Sequence, residues 1–415
     1  MAKQFRTIRG IHDGLTSEVK RWQHIEQTAR DVFRHHAFSE VRLPVLEPTA
    51  LFVRSIGEET DIVSKEMYRF EDRGGEDICL RPEGTAGAVR AYLQAGLTRS
   101  GPQRWYYVGP MFRRERPQKG RLRQFQQIGV EWFGVSGPSA DAELLTMAHT
   151  FLSALGIPSL HPEINSLGCP VCRPAYRGKL AAYLESHATH LCETCNTRME
   201  KNPMRVLDCK IESCQTQLAE APEMASHLCH DCETHFSGLK QALDALDIPY
   251  CVNPRIVRGL DYYNRTAFEI VTRQLGAQGT VLAGGRYDGL VEELGGPATP
   301  AVGFALGLER LAMLLPEAET EYPDIGVVVL GDSVRDYALN VVAELRKGGC
   351  SVVHCGGGIA KRQFRAADRE HVRFVAVTGE DEMAAGNITL KDMLDGSQKS
   401  LLVEEVIALV RQRNK

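Results

Sequence analysis

An α+β fold in several domains is what this sequence predicts: an antiparallel sheet with flanking helices, interrupted by a mainly helical insert and followed by a separate α/β domain. Three observations carry it. Residues 104–133 alternate with period two on either side of a polar loop, as two antiparallel strands do. Residues 168–245 change texture and hold eight of the twelve cysteines among charged, helical stretches. After 320 the order IGVVVLG, helix, CSVVHC, helix, RFVAVTG reads β-α-β-α-β. At roughly 100 to 200 residues per domain, a chain of 415 residues carries two or three.

Taken in order, Thr16 and Ser17 precede Val19, Trp22, Ile25, Ala29, Val32 and Phe33, the spacing of an amphipathic helix with a hydroxyl cap. A strand-like stretch containing Pro44 follows. The strands RWYYVGPMFR and QFQQIGVEWFG come next. In the second, Phe125, Gln127, Gly129, Glu131 and Phe133 share one face, and Gln126, Ile128, Val130 and Trp132 the other. If the Ile-Val-Trp side is packed, Gln127 and Glu131 face a cleft. Beyond the insert, IVRGLDYYNRTAFEIV reads as a strand, Gly284, Gly285 and Gly289 as a glycine-rich turn, and AVGFALGLERLAMLL as a strand entering a helix. The acidic stretch from Pro316 to Pro323 is a linker. The expected boundaries are 1–167 and 246–320 for the unit that carries the chemistry, 168–245 for the insert and 321–415 for the last domain.

Hydrophobic residues at 43% and charged residues at 25% describe an ordinary globular chain. With 49 Lys+Arg against 53 Asp+Glu, a polyanion could be met only through a local basic patch. No leader-like or membrane-length apolar run is present, so the cytoplasm is expected, where cysteines serve as thiols or metal ligands rather than disulfides.

Two common nucleotide cradles, Gly-x-x-x-x-Gly-Lys-Ser/Thr and Gly-x-Gly-x-x-Gly after a strand, are missing. Arg113, Arg114, Arg116, Lys119, Arg121 and Arg123 face a single acid, Glu115, in the loop between the two strands. Guanidinium forks there suit phosphate, although a solvated hairpin tip is the plainer reading. Glu131 and Gln127 beside such a loop suit a ligand that carries both an amine and a phosphate.

The ordered motifs Leu80-Arg81-Pro82-Glu83-Gly84-Thr85, Met111-Phe112-Arg113-Arg114-Glu115-Arg116 through Glu131, Arg258-Gly259-Leu260-Asp261-Tyr262-Tyr263 and Gly303-Phe304-Ala305-Leu306-Gly307-Leu308-Glu309-Arg310 resemble class II aminoacyl-tRNA synthetases. Within that class the chain is similar to bacterial histidyl-tRNA synthetases over nearly its whole length. The resemblance implies a class II antiparallel sheet that binds ATP and Mg²⁺, with Arg113 on the α-phosphate and Arg310 near the γ-phosphate. Phe125 would stack on adenine, a core phenylalanine being the alternative, and Arg258 would act at the reacting phosphate and carboxylate. Glu83, Thr85 and Gln127 would receive the amine of histidine, while Glu131 and Tyr263 read its ring and Tyr262 lines the pocket. Both tyrosines could instead be plain core aromatics.

Arg116, Gln118 and Lys119 would approach the acceptor stem of tRNA(His). Residues 321–415 would bind the anticodon, with Gly356-Gly357-Gly358 and Lys361-Arg362-Gln363-Phe364 as the contact region. The implied reaction forms histidyl-adenylate and then transfers histidine to tRNA, in a homodimer whose first helix and Pro44 strand lie near the interface. Buried partners for both ring nitrogens would reject analogues lacking them by about 10⁴ to 10⁵, so no proofreading module is required. An inert paralogue that regulates histidine biosynthesis and a tRNA- or amino-acid-sensing module are the rivals. The intact Arg258–Tyr263 motif, the last domain, and Arg113 with Arg310 speak against them.

The cysteines run Cys169-x2-Cys172-x19-Cys192-x2-Cys195, then Cys209, Cys214 and Cys229-x2-Cys232. This spacing points to structural zinc, with Cys169, Cys172, Cys192 and Cys195 as candidate ligands and Cys209, Cys214, Cys229 and Cys232 as a candidate second site, although spacing does not fix how the pairs combine. Reduced thiols packed as small hydrophobes are the other reading. Better-known relatives function without such a cluster, so the metal would be structural rather than catalytic.

Overall fold

The computed structural model describes residues 5–58, 60–118, 120–274, 279–317, 321–355 and 357–413. They form two compact units, Met1–Ala318 and Glu319–Lys415. The strands of the first are β1 (Ser39–Glu40), β2 (Leu46–Pro48), β3 (Tyr68–Glu71), β4 (Asp77–Leu80), β5 (Gln103–Phe112), β6 (Gln124–Phe133), β7 (Leu160–Ser166), β8 (Cys251–Val252), β9 (Asn264–Thr272), β10 (Thr280–Arg286) and β11 (Ala301–Gly307). Its helices are α1 (Thr16–His35), α2 (Thr49–Ile56), α3 (Thr85–Gln94), α4 (Pro138–Ala154), α5 (Arg173–Ser186), α6 (Glu193–Lys201), α7 (Glu212–Gln217), α8 (His230–Ala245), α9 (Leu290–Glu293) and α10 (Leu308–Ala312).

Eight strands make the main sheet, in the order β1-β5-β6-β11-β10-β9-β7-β8. Only the short edge strands pair in parallel, β1 with β5 and β8 with β7. The antiparallel pair expected from the alternation is present, with Gln103 opposite Phe133 and Phe112 opposite Gln124. One face is sealed by helices: Ile128, Val130 and Trp132 pack with Ile25, Ala29 and Phe33 of α1 and with Phe151 and Leu152 of α4. The other face carries Tyr107, Phe133, Tyr262, Tyr263 and Tyr287 against α3. Covering both faces explains why β6 is buried on consecutive residues from Gln127 to Phe133.

Four local expectations change. No side-chain cap precedes α1: Thr16 opens the helix and Leu15 occupies the cap position, so the tertiary packing of Ile25, Ala29 and Phe33 sets its start. Pro44 lies in the irregular segment between β1 and β2, where its carbonyl accepts from Arg81 Nη1 at 3.2 Å. Residues 256–263 are irregular, and the strand begins only at Asn264. Gly284 and Gly285 lie inside β10 rather than in a turn. A Cβ on Gly284 would sit 2.3 Å from the Gly303 carbonyl oxygen and 2.6 Å from Phe304 Cβ, so close strand approach, not turn geometry, requires glycine there.

The second unit is a five-stranded sheet, β13-β12-β14-β15-β16, built from β12 (Ile325–Val329), β13 (Val352–His354), β14 (Phe374–Thr378), β15 (Ile388–Asp392) and β16 (Gln398–Leu401). Helices α11 (Arg335–Lys347), α12 (Ala360–Arg369), α13 (Glu380–Ala385) and α14 (Val403–Arg413) complete it. β12 pairs in parallel with β13 and β14, the βαβαβ core that the alternation predicts. The antiparallel β15 and β16 extend the sheet beyond that reading. Among the described residues, no helix is long and apolar enough to cross a membrane.

Candidate active site

The site is assembled on the face of β6 that points away from α1 and α4. Register sets its shape. Glu131 lies opposite Gly303 of β11, and Gln127 lies opposite Gly109 of β5 and Gly307 of β11. Gly307 leaves a groove in the sheet surface beside Gln127, since a Cβ there would meet only the Gln126 carbonyl oxygen at 4.0 Å, whereas the space at Gly109 is taken by Arg81 Nη2, 2.5 Å from where a Cβ would sit. At Gly303 the need is direct, since a Cβ there would sit 2.1 Å from Glu131 Oε2.

Glu131 is 1% exposed, and among the described residues its hydrogen-bond donors are hydroxyls. Thr85 Oγ1 donates at 2.7 Å and Tyr107 OH at 3.1 Å to Oε1, while Tyr287 OH donates to Oε2. Burial pushes its carboxyl up to about 8, against the lowering effect of the Tyr287 and Thr85 hydroxyls. A carboxylate so placed gains most from a cationic or proton-donating ligand. Gln127 is 8% exposed, and its Oε1 has no hydrogen-bond partner. An acceptor left this way costs free energy until a donor arrives.

Glu83 is also buried, and its oxygens accept the backbone N–H of Thr85 at 2.6 Å and of Ala86 at 2.9 Å. It thus caps the start of α3 and holds Thr85 toward Glu131. Burial raises its carboxyl, with those two amides opposing the rise. Arg81 is wholly engaged in structure, its fork donating to the carbonyls of Pro110 at 2.9 Å and Leu43 at 2.8 Å. Tyr262 and Tyr263 are buried with their rings 4.7 Å apart, and Tyr287 packs 5.7 Å and 6.4 Å from them.

The arginines line the same face. Arg113 donates Nε to the Pro82 carbonyl at 2.8 Å and stands 5.4 Å over the ring of Phe125. Arg258 stands 5.4 Å over Tyr263, donates Nη1 to Glu269 at 2.7 Å and keeps a buried Nε without a partner. Arg310 projects from α10, whose neighbour Glu309 accepts the Gln126 amide at 2.7 Å and so ties this helix to β6. Burial, then the charge of Arg121, weaken the hold of Arg310 on its proton, and Glu269 opposes them. Direct contacts join part of this set: Arg258 lies over Tyr263 and pairs with Glu269, and the rings of Tyr262 and Tyr263 adjoin Tyr287, whose hydroxyl donates to Glu131.

Arg116 and Gln118 are exposed in the loop after Arg113, whereas Lys119 lies outside the described residues. Arg121 pairs with Glu115 at 3.6 Å and Arg123 donates to the Arg9 carbonyl at 3.2 Å, so part of the basic run is held internally. In the second unit Lys361 and Arg362 are exposed, and Gly356 lies outside the described residues. Gln363 departs from the expected contact region. It is 1% exposed and binds the Val329 amide and carbonyl at 2.8 Å each, replacing sheet hydrogen bonds. Sequence reasoning passed over Tyr107, Tyr287 and Glu269. Tyr107 was readable in part, since it pairs in register with Gly129, whose missing side chain leaves room for the ring. Tyr287 had no signal in its neighbours.

The cysteines group differently from the reading by proximity in the chain. Cys169 and Cys172 converge with Cys229 and Cys232, and Cys192 and Cys195 with Cys209 and Cys214, the thiols of each set lying within 4.8 Å of one another. The cause is the path of α5, which carries the chain away from the Cys169–Cys172 turn until the start of α8 returns beside it.

Comparison with known proteins matches residues 10–311 to the histidyl-tRNA synthetase family and residues 324–413 to the anticodon-binding domain family. A Geobacter metallireducens protein named histidine–tRNA ligase is 49% identical over 400 residues, covering 96% of this chain and 97% of its own. One of the same name from Trichlorobacter lovleyi is 50% identical over 400 residues, covering 96% of each. The crystal structure of apo S. aureus histidyl-tRNA synthetase superposes with a TM-score of 0.80 at 33% identity, covering 98% of this chain and 100% of that one. With its class II sheet, its arginine-lined groove and these matches over both units, the chain belongs to the histidyl-tRNA synthetase family.

Proposed function

We propose that the groove on β6 binds histidine and ATP side by side, and that the residues named above divide the work of histidine–tRNA ligation, the activity of this chain. The observation that carries the residue assignment is the pairing of a cation-free buried carboxyl at Glu131 with an unpartnered acceptor at Gln127 Oε1. Histidine offers a donor for each: its ammonium for Gln127, with Glu83 and Thr85 close by, and its ring N–H for Glu131, with Tyr263 at the other nitrogen and Tyr262 as wall. Arg113 and Phe125 take the α-phosphate and adenine, and Arg310 the γ-phosphate. Arg258, with a buried Nε to spare, holds the carboxylate that attacks.

In the first step a carboxylate oxygen of histidine bonds to the α-phosphorus and the bond to pyrophosphate breaks. The arginines offset the charge that builds on the phosphoryl oxygens. Mg²⁺ bound across the phosphates would supply further positive charge. In the second step a terminal ribose hydroxyl of tRNA(His) attacks the activated carbonyl and AMP leaves. Arg116, Gln118 and Lys119 then steer the acceptor end, and exposed Lys361 and Arg362 serve the anticodon side through phosphate contacts.

The remaining readings rest on the same footing. The first unit divides into 1–167 and 246–320 around the cysteine-rich segment 168–245, supported by the direct pairing of β7 with β9 across it. The last helix of the segment nevertheless shares the main core through Phe236, Leu239 and Leu243. A homodimer is supported by Leu46 of β2 and Phe70 of β3, 48% and 45% exposed on the three-stranded sheet β2-β4-β3, and sedimentation tests it. The cytoplasm suits a chain whose twelve cysteines are all free. Histidine-dependent ATP–pyrophosphate exchange, run across all twenty amino acids, tests the assignment. Exchange should require histidine, and Arg258→Ala should abolish it with folding preserved; full activity in that variant would reject the role given to Arg258.

A further inference from the structure

The geometry points to two structural zinc ions in the cysteine-rich segment, whose common task is to hold the Arg258–Tyr263 loop against the amino-acid pocket. The first would sit on Cys169, Cys172, Cys229 and Cys232, the second on Cys192, Cys195, Cys209 and Cys214. Four thiolates about 2.3 Å from a tetrahedral zinc are about 3.8 Å apart. The sulfur separations match: 3.7 Å for Cys169–Cys172, 3.7 Å for Cys169–Cys229, 3.9 Å for Cys172–Cys232 and 4.0 Å for Cys192–Cys209. Backbone N–H groups point at sulfur in both sets, Cys169 N–H to Cys172 at 3.1 Å and Cys192 N–H to Cys214 at 3.2 Å, the outer hydrogen bonds that orient sulfur ligands around a metal. Packing alone does not require eight thiols to converge as two tetrads.

The position of the sites says what they hold. The first closes the two ends of the segment on each other. Immediately after Cys172, Arg173 donates Nε to the Leu167 carbonyl at 2.9 Å and Nη2 to the carbonyl of Tyr263. Just before Cys169, the Gly168 carbonyl accepts the amide of Arg265 at 2.8 Å, where Arg265 has a left-handed φ of 49° that an arginine adopts only under constraint. The second set brackets the turn Pro203–Asp208. From that stretch Asn202 Nδ2 donates to Asp261 at 3.1 Å and Arg205 to the Gly259 carbonyl at 3.4 Å. Gly259, Asp261 and Tyr263 are thus each gripped from the cysteine-rich side. The loop itself is irregular, so these anchors add to the few others it has, the Asp261 amide on the Ile56 carbonyl at 3.4 Å and the Arg258–Glu269 pair at 2.7 Å.

This inference rests on the reading that Arg258 and Tyr263 serve histidine, and its tests separate from that reading. Elemental analysis of the purified chain should give two zinc ions, both released when the thiols are modified and counted with a chromogenic chelator. Ligand pairs then distinguish the grouping. Replacing Cys169 and Cys229 together by serine should remove one zinc, whereas replacing Cys169 and Cys192 together should remove both; the reverse result would overturn the assignment, as would iron or no metal in the native chain. Arg173→Ala and Asn202→Ala leave every ligand in place. Each should keep two zinc ions yet raise KM for histidine about tenfold in pyrophosphate exchange, the weight of the one hydrogen bond that each side chain gives to the loop, with KM for ATP unchanged. An unchanged histidine KM in both would sink the loop-holding role even while the wild-type chain activates histidine normally.

Discussion

Two deeply buried carboxylates, Asp141 of α4 and Glu131 of β6, are treated in opposite ways. Asp141 is fully buried and meets the Arg286 guanidinium at 2.6 Å, the His235 ring at 2.7 Å and the Thr266 hydroxyl at 2.5 Å. Although burial alone would raise it, the His235 and Arg286 contacts hold its carboxyl below the ordinary range. Glu131 is equally deep but is given three hydroxyls and no cation, and burial lifts it to about 8. Asp141 is complete within the fold and ties α4 and α8 to β10. Glu131 meets no cation among the described residues, and under the proposed function histidine would supply the missing donor. The contrast separates a buried carboxyl paired within the fold from one left for a proposed ligand, a distinction burial alone does not make.

Breaking the complete site should have the largest effect on stability. Arg286→Met leaves Asp141 without its guanidinium partner, and urea unfolding should show a loss of about 3–5 kcal/mol. The same change at the incomplete site behaves otherwise: Glu131→Gln should leave the unfolding midpoint near the wild-type value or above it, while histidine activation in the exchange assay falls at least about a hundredfold. A strongly destabilised Glu131→Gln would erase the comparison.

pH sharpens it further. For Glu131 the folded value near 8 exceeds the ordinary 4.5, so the folded state keeps a proton that the unfolded chain gives up between these values. Its contribution is therefore fully present below about pH 4.5 and fades as pH rises toward 8. Asp141 has the opposite sign: its contribution is present above the ordinary 3.8 and is lost as pH falls below it. Melting of the ligand-free protein should decline from about pH 5 to about pH 8, and Glu131→Gln should flatten that decline. Calorimetry in buffers of different ionisation enthalpy should also detect proton release when histidine binds near neutral pH, and no release would contradict the raised carboxyl. The smallest effect belongs to Tyr287→Phe, which removes one of three hydroxyls from Glu131 and should raise histidine KM by about three- to tenfold, as a single hydrogen bond does.

Much of this was legible beforehand because it rests on local pattern. Alternation located β5 and β6, and the motifs around Arg113, Glu131, Arg258 and Arg310 named the side chains proposed for the site. What escaped depends on contacts between distant segments. Gly284 and Gly285 look like a turn in the sequence, yet they lie within β10 because β11 approaches too closely for a Cβ. Residues 256–263 look like a strand by composition, but they are held as a loop by Arg173, Asn202 and Arg205 from a segment that the alternation does not mention. Gln363 stands in a basic stretch suited to a polyanion, and it turns inward to replace missing sheet hydrogen bonds.

By itself the amino-acid sequence determined the strands β5 and β6, the order of its motifs and the residue types proposed for the site, since period, spacing and side-chain chemistry are properties of the chain. Only the tertiary structure decided which cysteines meet, that Tyr107 and Tyr287 complete the ring of hydroxyls around Glu131, and that Asp141 rather than Glu131 receives a guanidinium. Such choices depend on which distant segments packing brings within a hydrogen bond of one another, and a linear spacing rule carries no information about that distance.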